Sequence, residues 1–125
     1  MTKERAKGTE FIVVWEFRVR SGKGREFERI YGPDGVWVRL FRGGQGYIRT
    51  ELIRDLKTPR RYLTIDIWTS REACSRFKRK NRVAYQAIDE RCGALTEDEV
   101  KIGEFHPAVG QRQLRPPEGT LLDTT

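Results

Sequence analysis

The chain has one histidine, two cysteines and one methionine in 125 residues, and it has no long apolar run. Each scarcity removes a class of function. A single histidine, His106, cannot supply both a hydrolytic triad and a metal centre, and no nucleophile motif lies beside it. No apolar run approaches the ~20 residues of a membrane helix. The charged start MTKERAKGTE lacks the apolar stretch of a signal peptide, so a soluble cytoplasmic protein is expected. The cysteines, Cys74 and Cys92, fall in one helical region. In a straight helix roughly 18 residues at ~1.5 Å each hold them about 27 Å apart. A disulfide needs Cα atoms within ~7 Å, so two small buried thiols in a reducing compartment are expected. No Cys/His spacing suggests zinc, and no metal site is expected.

The composition is 37% hydrophobic and 34% charged, which suits one polar but foldable domain. The formal charge of +7 raises the question of nucleic acid. However, the arginines are scattered, and the densest basic run, Arg76 to Arg82, is interrupted by Phe77. A solvated basic helix face accounts for that pattern, and nucleic-acid binding is not expected.

Residues 1–9 read as a flexible charged arm, 10–106 as the folded domain and 107–125 as a C-terminal tail. The tail contains Pro116-Pro117 and reads as either a disordered extension or a segment crossing to a partner subunit. Within the domain, Phe11 to Arg20 alternates as a strand. Phe11, Val13, Trp15, Phe17 and Val19 share one face; Ile12, Val14, Glu16, Arg18 and Arg20 share the other. Ser21 to Gly24 breaks the strand and opens a helix carrying Phe27, Ile30 and Tyr31. Gly32-Pro33-Asp34-Gly35 stops that helix, and Val36, Trp37, Leu40 and Phe41 suit a short second one.

Tyr47 to Leu56 and Arg60 to Trp68 read as a hairpin of strands around Lys57-Thr58-Pro59. In the second of these, Leu63, Ile65 and Ile67 form one face; Tyr62, Thr64, Asp66 and Trp68 form the other. Thr69-Ser70-Arg71-Glu72 reads as a capped helix start. The long helical region that follows carries Ala73, Cys74, Phe77, Ala84, Tyr85, Ile88 and Cys92, with a possible break at Asn81-Arg82. Glu99 to Phe105 reads as a short last strand.

This order predicts an α+β, ferredoxin-like βαββαβ domain with a four-stranded antiparallel sheet covered by helices on one face. The second face carries Ile12 and Val14 and needs a cover. A second copy of the sheet supplies it, which predicts a homodimer through the open sheet face.

The run from Phe27 to Asp55, with its GPDGVW turn and Gly46-Tyr47 strand start, resembles the antibiotic biosynthesis monooxygenase superfamily. So does the later stretch RRYLTIDIWTSREACSRF, and the likeness covers roughly residues 10 to 105. The resemblance implies a dimeric α/β barrel and oxygenation of a quinol, polyketide or haem substrate without a dedicated metal. It also implies a pocket between sheet and helices. Trp15, Trp37, Phe41, Phe77 and Tyr85 are the candidate lining, and Arg39, Tyr47, Arg49 and Asp66 the candidate polar edge. The same aromatics are also ordinary core material, and Asp66 could pair with a cross-strand Arg49 or Arg54. No one polar residue is singled out as the base.

The haem-degrading branch uses an asparagine on the first strand and a tryptophan and a histidine on the long helix. Here the first strand has no asparagine, Phe77 stands where the tryptophan would be, and the helix has no histidine. That chemistry is disfavoured. The expectation is a cofactor-independent monooxygenase-like protein acting on a small aromatic, quinol or polyketide-type molecule, with no cofactor. The alternative is a non-catalytic dimer that binds a small ligand or a partner. Gly43-Gly44-Gln45-Gly46 follows a helix and precedes a strand, the reverse of a dinucleotide-binding turn.

Overall fold

A computed structural model describes residues 9–109. The expected arm, apart from Thr9, and the tail from residue 110 lie outside the described residues. The elements are β1 (Phe11–Val19), α1 (Gly24–Tyr31), α2 (Val36–Arg42), β2 (Tyr47–Arg54), β3 (Arg61–Trp68), α3 (Arg71–Lys80), α4 (Arg82–Cys92) and β4 (Thr96–Phe105). The strands form one sheet in the order β2-β3-β1-β4, and every pairing is antiparallel. This is the expected ferredoxin-like α+β layout.

The register explains which face is buried. Phe11, Val13, Trp15 and Phe17 of β1 stand opposite Trp68, Asp66, Thr64 and Tyr62 of β3. Both alternating sets therefore lie on the helix-covered side. Phe11, Phe17, Tyr62 and Trp68 join Phe27, Tyr31, Trp37, Phe41 and Phe77 in one core. All aromatics of β1 and β3 are thus turned away from the open face, where an RNA-recognition motif would display its stacking platform. The open face carries Ile12, Val14, Leu63 and Ile65, flanked by Ile53 at 46% exposure and Val100 at 46%.

Local signals set the element ends. The Ser70 side chain accepts a hydrogen bond from the Ala73 N–H at 3.0 Å and caps α3. At the far end the Asn81 side-chain amide donates to the Phe77 carbonyl at 2.9 Å. Asn81 leaves helical geometry at φ −116°, which makes the break between α3 and α4 real. Cys74 and Cys92 are buried free thiols. The residues of the basic run are exposed, apart from buried Phe77 and half-buried Asn81.

Three boundaries differ from expectation. β2 ends at Arg54, because Asp55 Oδ1 accepts from the N–H groups of Lys57 and Thr58 and turns the chain. β3 starts one residue late, at Arg61. β4 is a ten-residue strand starting at Thr96. Its acidic start, Thr96-Glu97-Asp98, resembles a loop in sequence. On an edge strand those carboxylates remain solvated, and Glu97 is tied to Arg60 at 2.9 Å.

A bulge in β2 has the largest consequence for the site. Tyr47 pairs with Trp68, but Arg49 pairs with the next residue, Ile67. Ile48 is the extra residue, so the alternation changes phase there. Tyr47, Thr50 and Leu52 consequently face the helices, while Arg49 faces the open side.

Candidate functional site

A cavity of about 130 Å³ lies between the helices and the sheet. That is close to the ~150 Å³ known to accommodate a benzene ring. β1 contributes Trp15 and Phe17, α1 contributes Tyr31, and α2 contributes Trp37 and Phe41. Thr50 comes from β2, Thr64 and Asp66 from β3, Tyr85 and Asp89 from α4, and Glu99 from β4.

The aromatic wall is a connected set of rings. Trp37 meets Tyr85 edge-on at 4.9 Å between centroids and packs on Phe41 at 5.9 Å. Tyr31 contacts Phe17 at 5.0 Å and Trp37 at 6.1 Å. Such tilted packing is favourable in itself and holds the rings in place. The indole nitrogen of Trp37 is buried without a hydrogen-bond partner among the described residues.

Asp66 is the half-buried polar centre. Its Oδ1 accepts from the Thr50 hydroxyl at 2.6 Å, and the Thr50 oxygen in turn accepts from the Tyr47 hydroxyl at 2.8 Å. Neither Arg49 nor Arg54 reaches it: Arg49 pairs with Glu51 and Arg54 with Glu28. Burial pushes the Asp66 carboxyl up to about 6, against the opposing pull of the Thr50 hydrogen bond and the Lys78 charge. Burial likewise pushes the Tyr85 phenol up to about 12, helped by the negative charges of Asp66 and Asp89. Glu99 is also raised, by burial and then by repulsion from Asp89 and Asp98.

The candidates named from sequence thus separate. The cavity collects Trp15, Trp37, Phe41, Tyr85 and Asp66. Phe77 lies beneath them, against Phe41 at 5.5 Å and Trp68 at 5.2 Å, and lines a smaller neighbouring void with Cys74 and Lys78. Tyr47 does not line the cavity; it donates to Thr50 and packs its ring on Phe41 and Trp68. Arg39 is exposed and donates to the Asp34 carbonyl at 2.7 Å, which ties α2 to the preceding turn. Arg49 is on the opposite side of the sheet.

The sequence reading missed Tyr31, Phe17, Thr50, Thr64, Asp89 and Glu99. Asp89 was within reach, since it lies one helical turn after Tyr85 and so shares its face. Glu99 stands opposite Phe17 in the β1–β4 register, a pairing that only the sheet reveals. His106 follows β4, is exposed, and does not line the cavity.

Residues 10–84 match the family described as antibiotic biosynthesis monooxygenase. The chain belongs to that family. Among solved structures the fold recurs in SnoaB, a cofactor-independent oxygenase from Streptomyces nogalater. One SnoaB structure is 25% identical with a TM-score of 0.57, and covers 78% of this chain and 91% of that one. PA3566 from Pseudomonas aeruginosa is 15% identical with a TM-score of 0.59, over 79% of this chain and 94% of that one. SO0527 from Shewanella oneidensis is 18% identical with a TM-score of 0.60, over 80% and 92% respectively. No curated protein matches the chain. Among the described residues, no helix is long and apolar enough to cross a membrane.

Proposed function

We propose that this family member is a cofactor-independent oxygenase acting on a small phenolic, quinol or polyketide-type substrate, with Asp66 as the base. The observation that carries the reading is the Asp66 carboxylate, held by Thr50 in an aromatic-walled cavity and raised to about 6. A base works best when its pKa lies near the working pH, and a carboxylate at its ordinary value is too weak. Similarity to SnoaB, itself a cofactor-independent oxygenase, supports the reaction class.

In this chemistry the substrate supplies the electrons. Asp66 takes a proton from an acidic O–H or from a C–H next to a carbonyl. The carboxyl becomes neutral as the substrate becomes anionic, so the net charge of the cavity is unchanged. The electron-rich anion then reduces dioxygen by one electron, and the resulting pair combines into a substrate peroxide. Where the attacked carbon began as a CH2 group, loss of water leaves a carbonyl. One oxygen atom enters the product and the other leaves as water, all four electrons coming from the substrate. The aromatic walls exclude bulk water and hold the ring in place.

The assembly proposed is a homodimer, in which a second copy covers the open face of Ile12, Val14, Ile53, Leu63, Ile65 and Val100. The reaction is tested with protein freed of metal and flavin. Oxygen uptake is measured against a panel of quinols, anthrone-like phenols and 1,3-dicarbonyls. Uptake with at least one of them, slowed about a hundredfold or more in Asp66→Asn, is the expected result. No uptake across the panel would sink the reading.

A further inference from the structure

The chain is strongly basic, with a formal charge of +7, yet its cavity is acidic. Among the described residues three carboxylates line it, Asp66, Asp89 and Glu99, and no lysine or arginine does. Among the described residues, Asp89 and Glu99 take part in none of the ion pairs, which elsewhere engage Glu16, Glu28, Asp55 and Glu104. The two are exposed at the cavity's edge, while Asp66 is half-buried further in. Lys78, whose Nζ stands 5.7 Å from the Tyr85 ring centroid, lines the adjoining void, which shares Asp66 and Tyr85 with the cavity, and its charge acts on Asp66.

The aromatic walls favour the same sign of charge as the carboxylates. The faces of Trp and Tyr rings are negative, and an organic cation is held against several such rings together. Lys78 over Tyr85 is an example of that attraction within this chain. The acids also matter for the proposed chemistry. An anion formed from the substrate sits in a cavity whose described lining holds no cationic side chain, Lys78 standing only in the adjoining void, so the substrate gains if it brings its own counter-charge.

We infer that the cavity selects a substrate carrying a protonated amine on its aromatic framework, the ring held by Trp15, Trp37 and Tyr85 and the ammonium by Asp89 and Glu99. This deepens the proposed function, because it takes the cavity to be the substrate site.

Calorimetric titration under nitrogen, with three probes of one shape, tests it without requiring turnover. The probes are tyramine, neutral 4-ethylphenol and anionic 3-(4-hydroxyphenyl)propionate. Tyramine should bind roughly tenfold or more tighter than 4-ethylphenol, with the carboxylate weakest. The double variant Asp89→Asn, Glu99→Gln should bring tyramine to the affinity of 4-ethylphenol. Its thermal midpoint should be unchanged or higher, since carboxylate repulsion is relieved. Equal affinities, a preference for the carboxylate, or no tyramine binding at millimolar concentration would overturn the inference. Selective amine binding without oxygen uptake in the separate assay would leave this selectivity standing and remove the oxygenase reading.

Discussion

Thr50 on β2 donates a hydrogen bond to Asp66 on β3 across the strand pair, at 2.6 Å. The contact exists because the bulge at Ile48 turns Thr50, rather than Arg49, towards the helices. An arginine at that position would pair with Asp66 and hold it ionised at low pH. A hydroxyl leaves the carboxyl raised and able to exchange its proton.

Asp66→Asn should lower kcat about a hundredfold or more, the usual contribution of a positioned base. In the parent protein, kcat/KM should rise as pH increases through about 6, where Asp66 loses its proton. The variant should lack that limb. Steady-state rates against pH with any substrate found by oxygen uptake would check both.

The same substitution should stabilise the fold at neutral pH. The folded carboxyl binds its proton more tightly than the unfolded one, because burial raises it from 3.8 to about 6. Stability linked to Asp66 is therefore complete below the unfolded value, declines as pH rises between the two, and stays lower above both. Asparagine carries no such penalty, so a gain of order 2–3 kcal/mol at pH 7 that vanishes near pH 3 is expected. Urea titrations at the two pH values would read it, and an equal effect at both would argue against a buried ionised carboxylate.

Thr50→Val removes the hydrogen bond that favours the carboxylate, so the ascending limb should move above 6. Tyr47→Phe is the control. Its hydroxyl donates to Thr50 and not to Asp66, so the limb should stay near its parent position. Equal shifts in both variants would show that Tyr47 governs Asp66 as strongly as Thr50 does.

Ile65→Lys places a charge on the apolar open face, opposite Val14. Sedimentation should find the parent at twice the chain mass of 14.6 kDa and the variant at that mass. A monomeric parent protein would dispose of the dimer.

Gly46→Ala should cost about 1–3 kcal/mol, the usual scale for a residue forced into the left-handed region. Gly46 has φ +96°, and a Cβ there would lie 2.6 Å from the Ala73 Cβ and 2.7 Å from the Thr69 Oγ1. The glycine-rich loop is thus a close approach between β2 and α3, and no phosphate role is needed to account for it. Each kcal/mol lost should lower the thermal midpoint by roughly 4–8 °C.

Much of the fold was legible in local pattern. Alternation from Phe11 to Val19 marks a strand and its buried face, because successive side chains point to opposite sides. Ser70 and Asn81 mark helix ends because their side chains satisfy backbone groups that the helix leaves open. The aromatics of β1 and β3 likewise mark the sheet face that the helices cover. The site was legible only where a residue lay on a strand whose phase is unbroken, as with Trp15 and Asp66, or on a clear helix stripe, as with Trp37, Phe41 and Tyr85.

The remainder was decided by tertiary structure. Counting by twos from Tyr47 places Arg49 on the same face, and one extra residue in the ladder reverses the outcome in favour of Thr50. No local pattern signals that bulge, since its position depends on how β2 lies against β3. The acidic character of the cavity is likewise assembled from β3, α4 and β4, whose carboxylates are far apart in sequence. Residue types, periodicity and caps determined which elements form and which way most of them face. Register and packing determined which side chains share the space around Asp66, because proximity across a sheet is a property of the pairing and not of either strand alone.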